Sequence, residues 1–249
     1  MSDTRIAFVT GGGGGIGRAI CSALAGAGHR VAAADLAADA AREVAKSVDG
    51  LGVELDVTEP ESVAAAVAEV ERKLGPIDIC VNCAGWDLFI PFLDTDEAFT
   101  SRVLAINLAG PIRVTRAVLR GMLDRGWGRV INIASDAGRV GSSLESIYSG
   151  AKGGLIAFTK TIAREVARNG VTANSVCPGL TDTPLLDTIK AANPDAARVL
   201  DAMARAIPMR RLGLPDDIAP AVAFLASEEA GFITGAALPV DGGASCRVG

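Results

Sequence analysis

Short runs of apolar and β-branched residues alternate with longer helical patterns along this 249-residue chain, and that alternation limits the possible folds more than any other feature. The runs predict strands over residues 5–10, 31–35, 52–55, 77–81, 129–133, 172–177 and 237–240. Between them the spacing predicts helices over 16–27, about 39–47, about 61–74, about 99–124, about 147–168 and about 215–226. Most of these strands are apolar at nearly every position, which suits a parallel sheet whose two faces are both covered by helices and see no water. The expectation is therefore an α/β fold: a doubly wound, seven-stranded parallel sheet with helices on both faces, in a single domain over 1–249.

Between the first expected strand and helix lies Thr10-Gly11-Gly12-Gly13-Gly14-Gly15-Ile16-Gly17. A glycine-rich turn in that position lets backbone N–H groups approach a pyrophosphate and aims a helix N-terminus at it, as in Rossmann-type sheets. The run fits G-x-G-x-x-G at Gly12, Gly14 and Gly17, and equally G-x-x-x-G-x-G at Gly11, Gly15 and Gly17; spacing does not choose between them. Asp35 closes the second strand at the distance expected of a carboxylate that hydrogen-bonds the adenosine ribose hydroxyls. A carboxylate there repels a 2′-phosphate, and Leu36 places no cation directly after it. NAD is the expected cofactor.

The chain holds one tyrosine, Tyr148, and Lys152 follows it by four residues. On a helix this spacing puts both side chains on one face. An ammonium there favours phenolate and is expected to lower a phenol pKa that is about 10 in model peptides, the shift that an acid/base working near neutral pH requires. The one histidine, His29, falls between Gly28 and Arg30 in an expected helix-to-strand turn, so Ser/His/Asp and Cys/His catalysis lack their base. Five cysteines (Cys21, Cys80, Cys83, Cys177 and Cys246) do not suggest a disulfide framework. Cys80-Val81-Asn82-Cys83 lies in an expected strand and has no second cysteine pair, which argues against both a redox motif and zinc.

Thr10 to Gly17, Asp56-Val57, Asn82-Cys83-Ala84-Gly85, Asn107, Ser135, Tyr148 with Lys152, and Pro178-Gly179 with Thr183 occur in order along nearly the full length. Together they resemble the short-chain dehydrogenase/reductase family. The resemblance implies hydride transfer between a secondary alcohol and a ketone. Ser135 would hold the substrate oxygen, Tyr148 would pass the proton, Lys152 would bind the nicotinamide ribose and depress the tyrosine pKa, and Asn107 would support a water-linked proton path. It further implies cofactor contacts at Gly11, Gly14, Gly15, Ile16, Gly17, Asp35, Leu36, Asp56, Val57, Asn82, Ala84, Gly85, Tyr148, Lys152, Pro178, Thr181 and Thr183. A homotetramer using the helices over 99–124 and 147–168 is implied as well. Cys83 replaces the family's second asparagine and is given no cofactor contact. The chemistry agrees independently: hydride leaves a carbinol carbon only as its hydroxyl loses a proton, and a phenol, an ammonium and a hydroxyl around one oxygen suffice for that. A non-enzymatic dinucleotide sensor would need the glycine end alone.

Trp86, Asp87, Phe89, Pro91 and Phe92 follow the fourth strand, and Arg139, Ser142 and Ser143 follow Ser135. Of these, Trp86, Phe89, Arg139 and Ser142 are expected to join Ser135 and Tyr148 in contacting substrate. Gly85-Trp86-Asp87, Ile133-Ala134-Ser135-Asp136-Ala137, Arg139-Val140-Gly141-Ser142-Ser143 and the stretch from Cys177 to Thr183 resemble 2-hydroxycyclohexanecarboxyl-CoA dehydrogenases. Arg5 to Thr10, Gly121 to Arg129 and Arg211-Leu212-Gly213-Leu214-Pro215 resemble acetoacetyl-CoA and 3-oxoacyl-acyl-carrier-protein reductases. The first group surrounds the expected pocket, so a cyclic hydroxyacyl-CoA thioester is the expected substrate and a linear oxoacyl thioester the alternative. Arg210 and Arg211 are candidates for a CoA phosphate, or simply a solvated turn. Residues 178–213 are expected to be irregular, with a substrate-covering segment over about 180–213. A net charge of −5 argues against a nucleic-acid partner. No apolar run reaches the roughly 18 residues of a membrane span. Met1 to Ile6 enter the first strand without a leader pattern, so a cytoplasmic setting is expected.

Overall fold

In the computed structural model, which describes residues 4–192 and 194–246, seven strands form one parallel sheet. They are β1 (Ile6–Thr10), β2 (Arg30–Asp35), β3 (Leu51–Glu54), β4 (Ile79–Asn82), β5 (Gly128–Ile133), β6 (Val171–Pro178) and β7 (Ala237–Val240). Their spatial order is β3-β2-β1-β4-β5-β6-β7, so the chain winds outward from β1 in one direction and then, from β4, in the other. The crevice lies at that reversal, beyond the carboxyl ends of β1 and β4.

Alternate residues of a strand point to opposite faces, and here each face has its own core. Ile6, Phe8 and Cys80 pack with Val63, Val67 and Val70 of α3 (Pro60–Lys73) and with Val114, Val118 and Met122 of α5 (Gly110–Arg125). Ala7, Val9, Ile79 and Val81 pack with Ile20 and Leu24 of α1 (Gly15–Gly26) and with Ile218, Val222 and Leu225 of α10 (Pro215–Ala226). A third helix on the sheet's edge, α2 (Ala38–Ser47), contributes Val44 to the second core.

Across the middle of the sheet the register aligns Thr10 with Asn82, Asn82 with Asn132, and Asn132 with Ser175. Asn82, Asn132 and Ser175 are linked into one network through Thr115 and Thr159, which leaves Asn82 Oδ1 without a partner. Asn82 Nδ2 donates to Asn132 Oδ1 (2.8 Å) and to Thr115 Oγ1 of α5 (3.1 Å). Asn132 Nδ2 donates to Thr159 Oγ1 (2.8 Å), which also receives the Ser175 hydroxyl (3.0 Å). Thr159 lies on α7 (Ser146–Val166), so the network locks that helix to the strands at the depth of the crevice.

Two expectations are corrected. The helix expected over 99–124 is α4 (Glu97–Leu104) joined to α5 through a π-helical turn, Ala105–Ala109, which carries Asn107. Such turns arise where one extra residue is accommodated, a shift too small to erase the helical period of the sequence. Residues 178–213 are not irregular but carry α8 (Pro184–Ala192) and α9 (Pro194–Ala206). Pro184 and Pro194 each open a helix, where a missing N–H costs nothing and the proline φ is already helical. Leu186, Ile189 and Leu200 of this pair pack over Phe89 as a small separate core. One short helix, α6 (Ala137–Val140), was not expected at all. Among the described residues no helix is long and apolar enough to cross a membrane.

Candidate active site

A cavity of about 390 Å³ opens between the carboxyl ends of the strands and the α8–α9 pair. One end of it is the turn between β1 and α1. Gly11 stands at φ +65°, and a Cβ there would come within 2.8 Å of the Ala84 backbone; a Cβ on Gly17 would lie 2.0 Å from the Gly11 carbonyl oxygen. Only glycine permits this tight approach. No side chain caps α1 at Gly14 and no acid sits in its first turn, so the N–H groups of Gly15, Ile16 and Gly17 and the positive helix end face the cavity.

Asp35, at the end of β2, also lines the cavity. Its Oδ2 accepts from the Gly13 N–H (3.0 Å) and its Oδ1 from the Ala37 N–H (3.0 Å), which fixes the carboxylate at the rim. Uncapped N–H groups and an oriented carboxylate at this spacing fit a dinucleotide. Its diphosphate would lie on the α1 N-terminus and its adenosine ribose against Asp35. Ala84, Gly85, Pro178, Thr181 and Thr183 line the same cavity. Leu36 is exposed beyond Asp35. Asp56, Val57 and Asn82 do not line the cavity: Asp56 accepts from Thr58 (2.8 Å) in the turn before α3, Val57 packs against Gly110, and Asn82 is held in the network across the sheet.

Ser135, Tyr148 and Lys152 meet at the other end. Ser135 follows β5, and its Oγ accepts from the Ala137 N–H (3.1 Å), which begins α6. Gly138 lets α6 press against α7 at Lys152, bringing Ser135 to the Tyr148 hydroxyl. Lys152 is buried, and its Nζ donates to the Ile133 carbonyl (2.8 Å) while lying 5.4 Å from the Tyr148 ring centre. Burial brings Lys152 down to about 8.

The expected depression of the Tyr148 pKa is therefore overturned in this structure. Burial holds the phenol above its ordinary value, the nearby carboxyls of Glu145 and Asp87 push it further up, and the hydrogen bond with Ser135 only partly opposes them. The ammonium donates to a backbone carbonyl and stands 5.4 Å from the phenol ring centre, and its charge does not outweigh burial and the two carboxyls.

Asn107 is fully buried in the π turn and lies outside the cavity lining. Its Nδ2 donates to the carbonyls of Trp86 (2.7 Å) and Val103 (3.0 Å), and its Oδ1 accepts from the Trp86 N–H (3.3 Å). It thereby clamps the segment that carries Gly85. Of the residues expected to touch substrate, Phe89 and Ser142 line the cavity. Trp86 turns instead toward Phe99 (5.7 Å between rings), with the Arg102 guanidinium 3.8 Å from its ring. Arg139 is engaged by Ser245 Oγ (2.6 Å), Asp136 (3.5 Å) and Asp241 (4.0 Å). Arg211 makes a two-point pair with Asp217 (2.5 and 2.7 Å), and Arg210 donates to the Arg205 carbonyl (3.1 Å).

Sequence reasoning missed Glu145, which lines the cavity three residues before Tyr148, and the apolar wall of Leu186, Ile189, Met203 and Ile207. The three-residue spacing from Tyr148 was the available signal for Glu145. Cys83 lines the cavity with its thiol pushed up by burial to about 12, which disfavours the thiolate. Among the described residues no cluster could hold a metal ion.

A family profile described as Enoyl-(Acyl carrier protein) reductase matches residues 12–245. An acetoacetyl-CoA reductase of Allochromatium vinosum is 42% identical over 96% of this chain and 98% of its own length. A 3-oxoacyl-(acyl-carrier-protein) reductase FabG of Vibrio cholerae serotype O1 is 41% identical, with 96% of each chain covered. A solved structure from Brucella melitensis 16M, named ribose-5-phosphate isomerase, superposes with a TM-score of 0.92 at 38% identity, covering 99% of this chain and 94% of that one.

Proposed function

Because this chain belongs to the short-chain dehydrogenase/reductase family and is an oxidoreductase of CH–OH groups, we propose that it uses NAD(H) to interconvert hydroxyacyl- and oxoacyl-CoA thioesters. The observation that carries this reading is the convergence of Ser135, Tyr148 and Lys152 on one end of a cavity whose other end is the glycine turn and Asp35.

When bound, the nicotinamide supplies the hydride donor or acceptor. Ser135 offers its hydroxyl to the oxygen of the reacting carbon. Tyr148, kept protonated by burial, delivers a proton to that oxygen as the ketone is reduced, and takes one back in oxidation. Lys152 places a positive charge beneath the phenol and favours the phenolate left after proton transfer. The reductive direction thus starts from the protonation state that the burial of Tyr148 favours.

NAD(H) is preferred over NADP(H) because the Asp35 carboxylate, fixed by two backbone N–H groups, would repel a 2′-phosphate. Equal kcat/KM values for the two cofactors would overturn this preference. Within the thioester class a cyclic acyl group is the narrower reading, supported by the motifs around the cavity and by the wall of Phe89, Leu186, Ile189 and Met203. The names of the relatives favour a linear 3-oxoacyl group as the second reading. An NAD(H)-linked assay of cyclic and linear thioesters, on CoA and on acyl carrier protein, decides between them; strong preference for linear 3-oxoacyl-acyl-carrier-protein removes the ring.

A cytoplasmic setting goes with this substrate class. The assembly inferred is a homotetramer, and exposed Leu104 on α4, Phe224 on α10 and Phe232 supply apolar surface for it.

A further inference from the structure

The carboxyls of Asp87 and Glu145 come together beside Tyr148, although the two residues arrive from different elements: the segment after β4 and the start of α7. Asp87 is 2% exposed and neither of its oxygens receives a well-formed hydrogen bond; its polar neighbours are the Glu145 carboxyl first, then the Leu88 N–H and the Lys152 ammonium. Glu145 faces Asp87 on one side and lines the cavity on the other. Among the described lining residues Lys152 is the one cation, and it is committed to the Ile133 carbonyl; Arg139 is neutralised outside the lining. The Tyr148 end of the cavity therefore offers carboxyl groups, apolar side chains and a single ammonium, that of Lys152, which already faces the phenol and Asp87.

We infer that the Asp87–Glu145 pair is a charge filter that admits an uncharged acyl ester or thioester beside Tyr148 and rejects the corresponding free carboxylate. The inference rests on the proposed oxoacyl thioester chemistry and adds the element that distinguishes the esterified acid from the free one. A substrate carboxylate would add a further anion beside a buried carboxyl pair that has only the Lys152 ammonium to offset it, and repulsion in such surroundings is weakly screened. Specificity by repulsion of the wrong ligand needs no new attractive contact to the right one.

The pair's charge depends on pH. Burial and their mutual repulsion raise Asp87 to about 8, and burial raises Glu145 to about 7. Tyr148 and Lys152 of α7, Ser142 before it and Cys83 after β4 are the other polar groups at this corner. As pH rises through these values the pair becomes anionic, so rejection of a carboxylate strengthens.

The test compares methyl acetoacetate with acetoacetate, which differ in charge at one end, alongside acetoacetyl-CoA. Expected for the wild type is a kcat/KM ratio of ester to acid that rises from near parity at about pH 6, where the pair is protonated, to at least about tenfold at about pH 9, the acid itself staying ionised throughout. Glu145→Gln should cut that ratio about tenfold, through a lower KM for the acid, and flatten its pH dependence. Asp87→Asn removes charge from the other side of the pair and should act the same way, so misfolding of one variant leaves the other to report. Titration calorimetry of acid and ester on the NADH-loaded protein at about pH 9, where the pair is anionic, reads the filter without turnover, and equal binding of the two by the wild type at that pH overturns it. Turnover of a plain secondary alcohol with none of acetoacetyl-CoA overturns the proposed function while calorimetry still decides the filter. Thioester turnover with an unchanged ester-to-acid ratio in Glu145→Gln overturns the filter alone.

Discussion

Tyr148→Phe removes the one group placed to exchange a proton with the substrate oxygen, yet leaves the glycine turn and Asp35 untouched. Turnover is expected to fall by about 10²–10⁴-fold, with NADH affinity retained in a fluorescence titration. Retention of substantial activity would remove the proton-transfer role. The Lys152 ammonium, lowered to about 8 by burial, is present below that value and lost above it. The rate of ketone reduction is therefore expected to fall as pH rises through about 8, and a kcat profile still flat beyond that value would deny Lys152 its electrostatic role. Asp35→Ser takes away the repulsion of a 2′-phosphate; kcat/KM for NADPH relative to NADH should rise by about tenfold or more. At this scale the sequence was informative about Tyr148, Lys152 and Asp35, which their spacing from a helical neighbour or a strand end singles out, and about Ser135 through the family resemblance. It was silent on Asp87 with Glu145, which are far apart in the chain and meet only when β4 and α7 are laid side by side.

The π turn between α4 and α5 exists around Asn107, whose amide satisfies the backbone of Trp86 and the Val103 carbonyl. Asn107→Ala would leave those buried groups unpaired at a cost of about 1–3 kcal/mol. For a chain of this size that corresponds to a fall in Tm of about 2–4 °C per kcal/mol, measurable by calorimetry. The same variant should lower kcat, since the segment it clamps carries Gly85 next to Lys152. An unchanged Tm would show that the clamp contributes nothing. The start of α1 is under a similar constraint, because a Cβ at Gly17 has no room beside the Gly11 carbonyl. Strands and most helices were legible at this scale, since continuous apolar runs and a period of 3.6 are each written over a few residues. The α8–α9 pair was not: proline signals both a break and a helix start, and which applies depends on what the apolar residues behind it can cover. Here they cover Phe89 and the mouth of the cavity.

For the molecule as a whole, the exposed apolar side chains Phe224 and Phe232 lie on the face formed by α10 and the segment before β7. Light scattering is expected to give a mass about four times the 25.3 kDa of one chain. A monomer by the same measurement would refute the tetramer. The layered α/β order, the glycine turn entering a helix and the Tyr148–Lys152 spacing were determined by the sequence alone, because each depends on local period and steric freedom. What only the tertiary structure decided is the electrostatic character of the cavity. Tyr148 is raised instead of lowered, Arg139 is engaged by Asp136 and Asp241, and two carboxyls face each other beside Tyr148. Desolvation and charge–charge distances are properties of the packed whole, and no spacing along the chain encodes them.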